Sequence, residues 1–173
     1  MKLKKIGHVA VRVTDPERAK AFYTSVLGFR VAEQDPVHGG IFMTLGDDFH
    51  TLDLSPVADL ASARLPDRSS IGVSHVAFQV GSYAALREAY ETLLKNGVEI
   101  DHATDHVQQR SLYFADPDGN RLEIYYEMEG ALKAFPDGRG DRDDELPVGK
   151  PGDPLPTWLL EEWPPKEVLA NVR

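Results

Sequence analysis

The 173-residue chain contains no cysteine. That excludes disulfides, thiolate ligands and cysteine nucleophiles, so any metal held here must sit on nitrogen and oxygen. Such donors admit Fe(II), Mn(II), Ni(II) or Zn(II) and give up the sulfur ligands typical of structural zinc. Long apolar runs are missing too, with nothing near the roughly 18 residues of a membrane span. The N-terminus, MKLKKIGHVAVRV, carries positive charge but no long apolar segment and no small-residue cleavage site. It reads as a strand rather than a signal peptide, and the expected location is the cytoplasm. Clusters of Lys and Arg are also lacking. The formal charge is -9, which argues against a nucleic-acid partner. Much of the acidity lies in one stretch, DGRGDRDDE at 137–145, and belongs to a loop or tail. What is plentiful is core material: 42% of the residues are hydrophobic, far above a disordered composition.

The clearest organisational signal is a repeat. GHVAVRV at 7–13 matches SHVAFQV at 74–80, each alternating apolar and polar as a half-buried strand does. A helical pattern follows each. In the first, Asp15 is the expected N-cap and Pro16 the first helical residue; Ala19, Phe22, Tyr23, Val26 and Leu27 form the apolar stripe and Gly28 ends it. The second starts near Ser82, with a stripe of Leu86, Ala89, Tyr90, Leu93 and Leu94 closed by Asn96-Gly97. Strands are expected at 29–34, 40–45 and 50–54, and again at 98–102, 111–115 and 122–126. The segment DPDGN at 116–120 is a turn signal. Each half therefore reads β-α-β-β-β, and the fold class is α+β: two repeated βαβββ modules, at about 4–55 and 72–128, forming one curled mixed sheet around a metal site with helices outside. Residues 1–130 make the domain. Residues 131–173 form a proline-rich, acidic extension without a sheet pattern. Its island of Trp158, Leu159, Leu160 and Trp163 is expected to dock on the domain or on a neighbouring subunit.

His8 and His75 fall at equivalent points of the two repeated strands, and Glu123 lies on the last strand. A lone strand histidine is most often structural. Two at matching positions, with a carboxylate on a third strand, make a candidate metal set. Two imidazoles and one carboxylate fill one face of an octahedron and leave the other open. Alternation puts Glu123 opposite Leu122 and Ile124, on a face that is either site or solvent. Asp53 is its counterpart in the first half, either a fourth ligand or a surface residue. His50 has the opposite strand parity to Asp53. His102 and His106, in DHATDH, sit before the penultimate strand in a segment able to fold over a site mouth. His38 belongs to a turn. Tyr113 is either a core aromatic or a site phenol.

The strand histidines, the helix ending FYTSVLGF and the segment DPDGNRLEIYYE together resemble the vicinal oxygen chelate superfamily. That group includes glyoxalase I, fosfomycin resistance proteins, methylmalonyl-CoA epimerases and type I extradiol dioxygenases. The resemblance covers about residues 4–128 and is strongest to single-domain extradiol (catechol) dioxygenases. It implies His8, His75 and Glu123 as iron ligands. It also implies His50 in FHTLDL, His106 and Tyr113 as catalytic residues; Tyr113 stands ten residues before Glu123, as in that family's closing signature. The implied substrates are a small aromatic diol and O2, the implied metal Fe(II) or else Mn(II), and the implied assembly a homo-oligomer. Asp53 departs from the pattern, because those enzymes usually have a small or apolar residue there. A carboxylate at that place suits a glyoxalase-type lyase or epimerase working with Zn(II) or Ni(II). A fosfomycin-type transferase fits less well, since Ala10 replaces that group's usual threonine.

Overall fold

The computed structural model describes residues 1–65, 67, 69–140 and 142–165. It divides into two units, Met1–Val76 with Asp116–Asn120, and Ala77–Ala115 with Arg121–Arg173.

In the first unit, Val9–Val13 (β1) buries Val11 and Val13 and leaves Ala10 and Arg12 outside, as its alternation predicts. Helix α1 spans Pro16–Ser25. The Asp15 carboxylate accepts from the backbone N–H of Glu17 at 3.0 Å and of Arg18 at 3.1 Å, satisfying donors that a helix start leaves open. Ala19, Phe22 and Tyr23 are the buried face. Gly28, at φ +74°, turns the chain into Arg30–Gln34 (β2), which is followed by Ile41–Thr44 (β3) and Leu52–Pro56 (β4). The sheet order is β1-β4-β3-β2. β1 runs parallel to β4 with Ala10 opposite Asp53, and β3 runs antiparallel to β4 with Phe42 opposite Asp53. β4 thus begins two residues later than the sequence suggests. His50 lies in the bend before it, off the strand, so strand parity does not govern where its ring points.

The DPDGN turn belongs to this unit. Buried Asp116 accepts from the backbone N–H of Asp118 and Asn120, both at 2.9 Å, and from Tyr23 Oη at 3.1 Å. Asp118 accepts from Arg18 Nη2 at 2.7 Å and from the Thr14 backbone N–H at 3.0 Å. Gly119 has φ +86°, in the left-handed region that favours glycine.

The second unit repeats the plan. Val76–Gln79 (β5) leads into Tyr83–Lys95 (α2), whose Ser82 cap accepts from the Ala85 backbone N–H. Leu86, Tyr90 and Leu93, at helical spacing, are its buried face. Then come Ile100–Asp105 (β6), Gln109–Ala115 (β7) and Arg121–Glu127 (β8). The α+β class and the repeated βαβββ module are as expected; hydrogen bonding groups the strands into two sheets, one per module.

The extension differs from its sequence reading. It contributes two short helices, Ala131–Ala134 (α3) and Thr157–Leu160 (α4), and a strand, Asp144–Leu146 (β9). β9 pairs antiparallel with β6, giving the order β5-β8-β7-β6-β9. Three residues are too few to show a period in sequence, and this pairing corrects the expectation of a tail without sheet. Both Trp residues dock on the unit. Trp158 is 4% exposed and Trp163 7%. They close over Arg110, whose guanidinium carbon lies 5.7, 5.7 and 5.2 Å from the ring centroids of Tyr83, Trp158 and Trp163. Arg110 Nε donates to Asp105 at 2.8 Å, and its Nη1 donates to the Trp158 carbonyl at 2.9 Å. No helix among the described residues is long and apolar enough to cross a membrane.

Candidate metal and acid–base site

In the first unit the parallel pairing of β1 and β4 sets His8 beside Asp53. His8 Nε2 lies 3.5 Å from Asp53 Oδ2. The bend before β4 brings His50 to the same place: His50 Nε2 is 3.2 Å from His8 Nδ1, with the two rings edge to face. Phe42 stacks on the other side of His50 with centroids 5.4 Å apart. Among the described residues, His8, His50 and Asp53 form a group able to hold a metal ion, with one donor atom from each lying within 4.8 Å of the others. Asp53 is 8% exposed. Two buried polar atoms in the group, His50 Nδ1 and Asp53 Oδ1, have no hydrogen-bond partner, and they face each other across 3.8 Å. Buried polar atoms are normally paired. An ion about 2.1 Å from each donor bridges such a gap, so this all-nitrogen-and-oxygen group fits a divalent cation. His75, in the same unit, is not in the group; it stands exposed just before β5.

In the second unit the registers of β6, β7 and β8 line up His102, Tyr113 and Glu123 across three strands. His102 stacks on the Tyr113 ring at 4.3 Å and 11°. Glu123 is 4% exposed, and Gln109 Nε2 donates to its Oε1 at 3.2 Å. Glu123 therefore faces the interior, the side that alternation alone left open. Burial and the nearby Glu123 charge push the Tyr113 phenol up to about 12. His106 sits where β6 ends. Its Nε2 is 3.0 Å from Tyr113 Oη, so His106 and His102 divide the two roles: one hydrogen-bonds the phenol and the other stacks on it.

The turn that carries His106 is strained. Val107 has φ +75°, unusual for a β-branched residue, and the Gln108 backbone N–H donates to the His106 carbonyl at 3.0 Å in a tight γ-turn. Asp105 Oδ1 fixes it by accepting from the Val107 backbone N–H at 2.8 Å, while Asp105 Oδ2 is held by Arg110. Strain of this kind persists where surrounding structure enforces it, and it clusters at functional sites. Gln109 carries no motif that would have marked it in sequence. His38 is a turn residue, its Nδ1 2.9 Å from Asp35 Oδ2.

Residues 5–124 match the Glyoxalase/Bleomycin resistance protein/Dioxygenase superfamily. The chain belongs to this superfamily. Over 120 residues, 69% of the chain, it is 31% identical to a catechol-2,3-dioxygenase of Bacillus subtilis, and the match spans 40% of that enzyme's length. Over 143 residues, 68% of the chain, it is 27% identical to a lactoylglutathione lyase of Pseudomonas aeruginosa, covering 80% of that protein. A glyoxylase/bleomycin resistance protein/dioxygenase domain from a Frankia species shares the fold, with a TM-score of 0.64, 22% identity, and coverage of 73% of this chain and 100% of the other. Residues 131–165 of the described chain lie beyond the superfamily match.

Proposed function

We propose that the protein is a metal-dependent extradiol dioxygenase that opens the ring of a catechol-type aromatic diol with O2. One observation carries this reading: the His106–Tyr113 hydrogen bond, on the strand whose Tyr113 stands opposite Glu123. A phenol backed by an imidazole suits a substrate whose hydroxyl protons have to move. His8, His75 and Glu123 are the proposed metal donors, for Fe(II) first and Mn(II) next. Bound there, the ion supplies Lewis acidity toward the diol oxygens and a redox-active centre for O2. His50, whose ring touches His8, is the proposed acceptor of a proton from a substrate hydroxyl. Tyr113 keeps its proton at neutral pH, and its hydroxyl oxygen accepts a hydrogen bond from a substrate hydroxyl. His106 Nε2, behind that phenol, exchanges the proton with it.

The test is anaerobic purification, loading with Fe(II), and a panel of catechols followed by oxygen uptake and the visible absorbance of a ring-opened semialdehyde. Stoichiometric oxygen use with a yellow product is expected. Turnover of the methylglyoxal–glutathione adduct with no oxygen use by any catechol refutes the reading.

A second reading, a glyoxalase-type lyase or epimerase with Zn(II) or Ni(II) as Lewis acid, is favoured by Asp53, whose buried Oδ1 lacks a partner beside His8 and His50. Asp53→Asn separates the two. The lyase loses metal and activity together, whereas the dioxygenase keeps its iron.

A further inference from the structure

The extension brings a carboxylate to the acid–base histidine. Asp143 Oδ1 lies 2.6 Å from His106 Nδ1, while His106 Nε2 is 3.0 Å from Tyr113 Oη. The imidazole is thus spanned at both nitrogens, by a phenol on one side and a carboxylate on the other. Arg139 Nη2 reaches the same Asp143 oxygen at 2.8 Å and lies 3.5 Å from His106 Nδ1. Residue 143 immediately precedes β9, whose pairing with β6 runs Asp144 opposite Asp105, next to His106. Strand pairing therefore delivers the carboxylate to that place. Asp143 lies outside the superfamily match at 5–124.

We propose that Asp143 is a positioning residue: it holds the proton on His106 Nδ1 and thereby presents Nε2, unprotonated, to the Tyr113 phenol. An acceptor-only carboxylate can bind only a protonated ring nitrogen. In a neutral imidazole the proton on Nδ1 leaves Nε2 as the acceptor, the logic by which a carboxylate orients the histidine of a hydrolase triad. His106 is half-buried and its turn is strained, so its ring has few other places to go. The anion is held in turn: the hydrogen bond from His106 and the nearby Arg139 charge keep the Asp143 carboxyl below the usual carboxylate range. This inference rests on the acid–base role given to His106 above.

The experiment reads the tautomer directly. Metal-free, 15N-histidine-labelled protein at about pH 8.5, where an ordinary imidazole is neutral, is compared with Asp143→Asn, Asp143→Glu and Tyr113→Phe (which assigns the Nε2 signal) by long-range 15N–1H correlation. The wild type is expected to show His106 as the Nδ1–H form. Asp143→Asn should move it toward Nε2–H, and Asp143→Glu should restore it. In the iron-loaded enzyme, Asp143→Asn is expected to lower kcat for a catechol on the order of tenfold to a hundredfold, part of the 10²–10⁴ an acid–base group supplies, with KM and iron content unchanged. Asp143 is half-exposed, so the substitution leaves the core intact. A His106 tautomer that is Nε2–H in the wild type, or unchanged in Asp143→Asn, overturns the proposal whatever the activity. A tautomer that switches in a protein that opens no catechol supports the role of Asp143 and sinks the ring-cleavage reading instead.

Discussion

Replacing Arg110 with Met should unlatch the extension from the second unit. Arg110 is 7% exposed, and its guanidinium pairs with Asp105 at 2.8 Å. It also bonds the Trp158 carbonyl and Tyr83 Oη and lies against three aromatic rings. Methionine keeps the length and apolar stem but strands Asp105 Oδ2, while the Trp158 carbonyl keeps Tyr83 Oη as its donor. Removing one partner of a buried ion pair costs about 3–5 kcal/mol, and a chain of this size loses about 2–4 °C of melting temperature per kcal/mol. The expected drop is therefore about 6–20 °C. The protein's two Trp residues both face Arg110, so intrinsic fluorescence during thermal unfolding reports on this contact. The double variant Arg110→Met, Asp105→Asn removes the stranded charge yet keeps an acceptor for the Val107 N–H, and it should recover part of the loss. A melting temperature within about 1 °C of wild type for the single variant, or a double variant weaker than the single, would show that the latch contributes little.

Other consequences are separately measurable. Asp116→Ala removes the acceptor for two backbone N–H groups and Tyr23 Oη and should cost about 2–4 kcal/mol in urea unfolding; Asp116→Asn should cost less. Tyr113 is raised to about 12 and Tyr23 higher still, both mainly by burial. Phenols of the unfolded chain ionise at about pH 10. A raised folded pKa gives stability that is whole below the unfolded value and is lost as pH rises, so the urea midpoint should hold to about pH 10 and fall from there; a midpoint that climbs between pH 10 and 11.5 contradicts the assignment. His8→Ala should weaken Co(II) or Zn(II) binding by more than about tenfold in calorimetry, since both readings of the site use His8; unchanged affinity removes His8 from the metal set.

The fold was largely legible because its signals are local. Asp15-Pro16 and Ser82 start helices by capping chemistry, and VAVRV declares its buried face by alternation. Repeat and motif marked His8, Glu123 and Tyr113 in the sequence; the structure buries Glu123 and sets Tyr113 opposite it. The site was not legible where placement depends on a bend or on pairing distant in sequence. His50 joins His8 and Asp53 only because β4 starts at Leu52, which no parity argument anticipates. Asp143 reaches His106 only because three residues of the extension pair with β6. The strain at Val107 has no sequence mark, since valine is the residue least expected there.

β9 also has a consequence for how copies of this protein meet. Without it, β6 would be the border of the second sheet and would offer a row of open N–H and C=O groups to any passing strand. The segment that covers it is only three residues long, carries Asp144 and Glu145, and is bounded by Asp143 and Pro147. A short, negatively charged, proline-stopped border is a poor template for further strand addition. The extension therefore guards the sheet against runaway edge-to-edge association, and a chain cut at residue 136 would be the aggregating form.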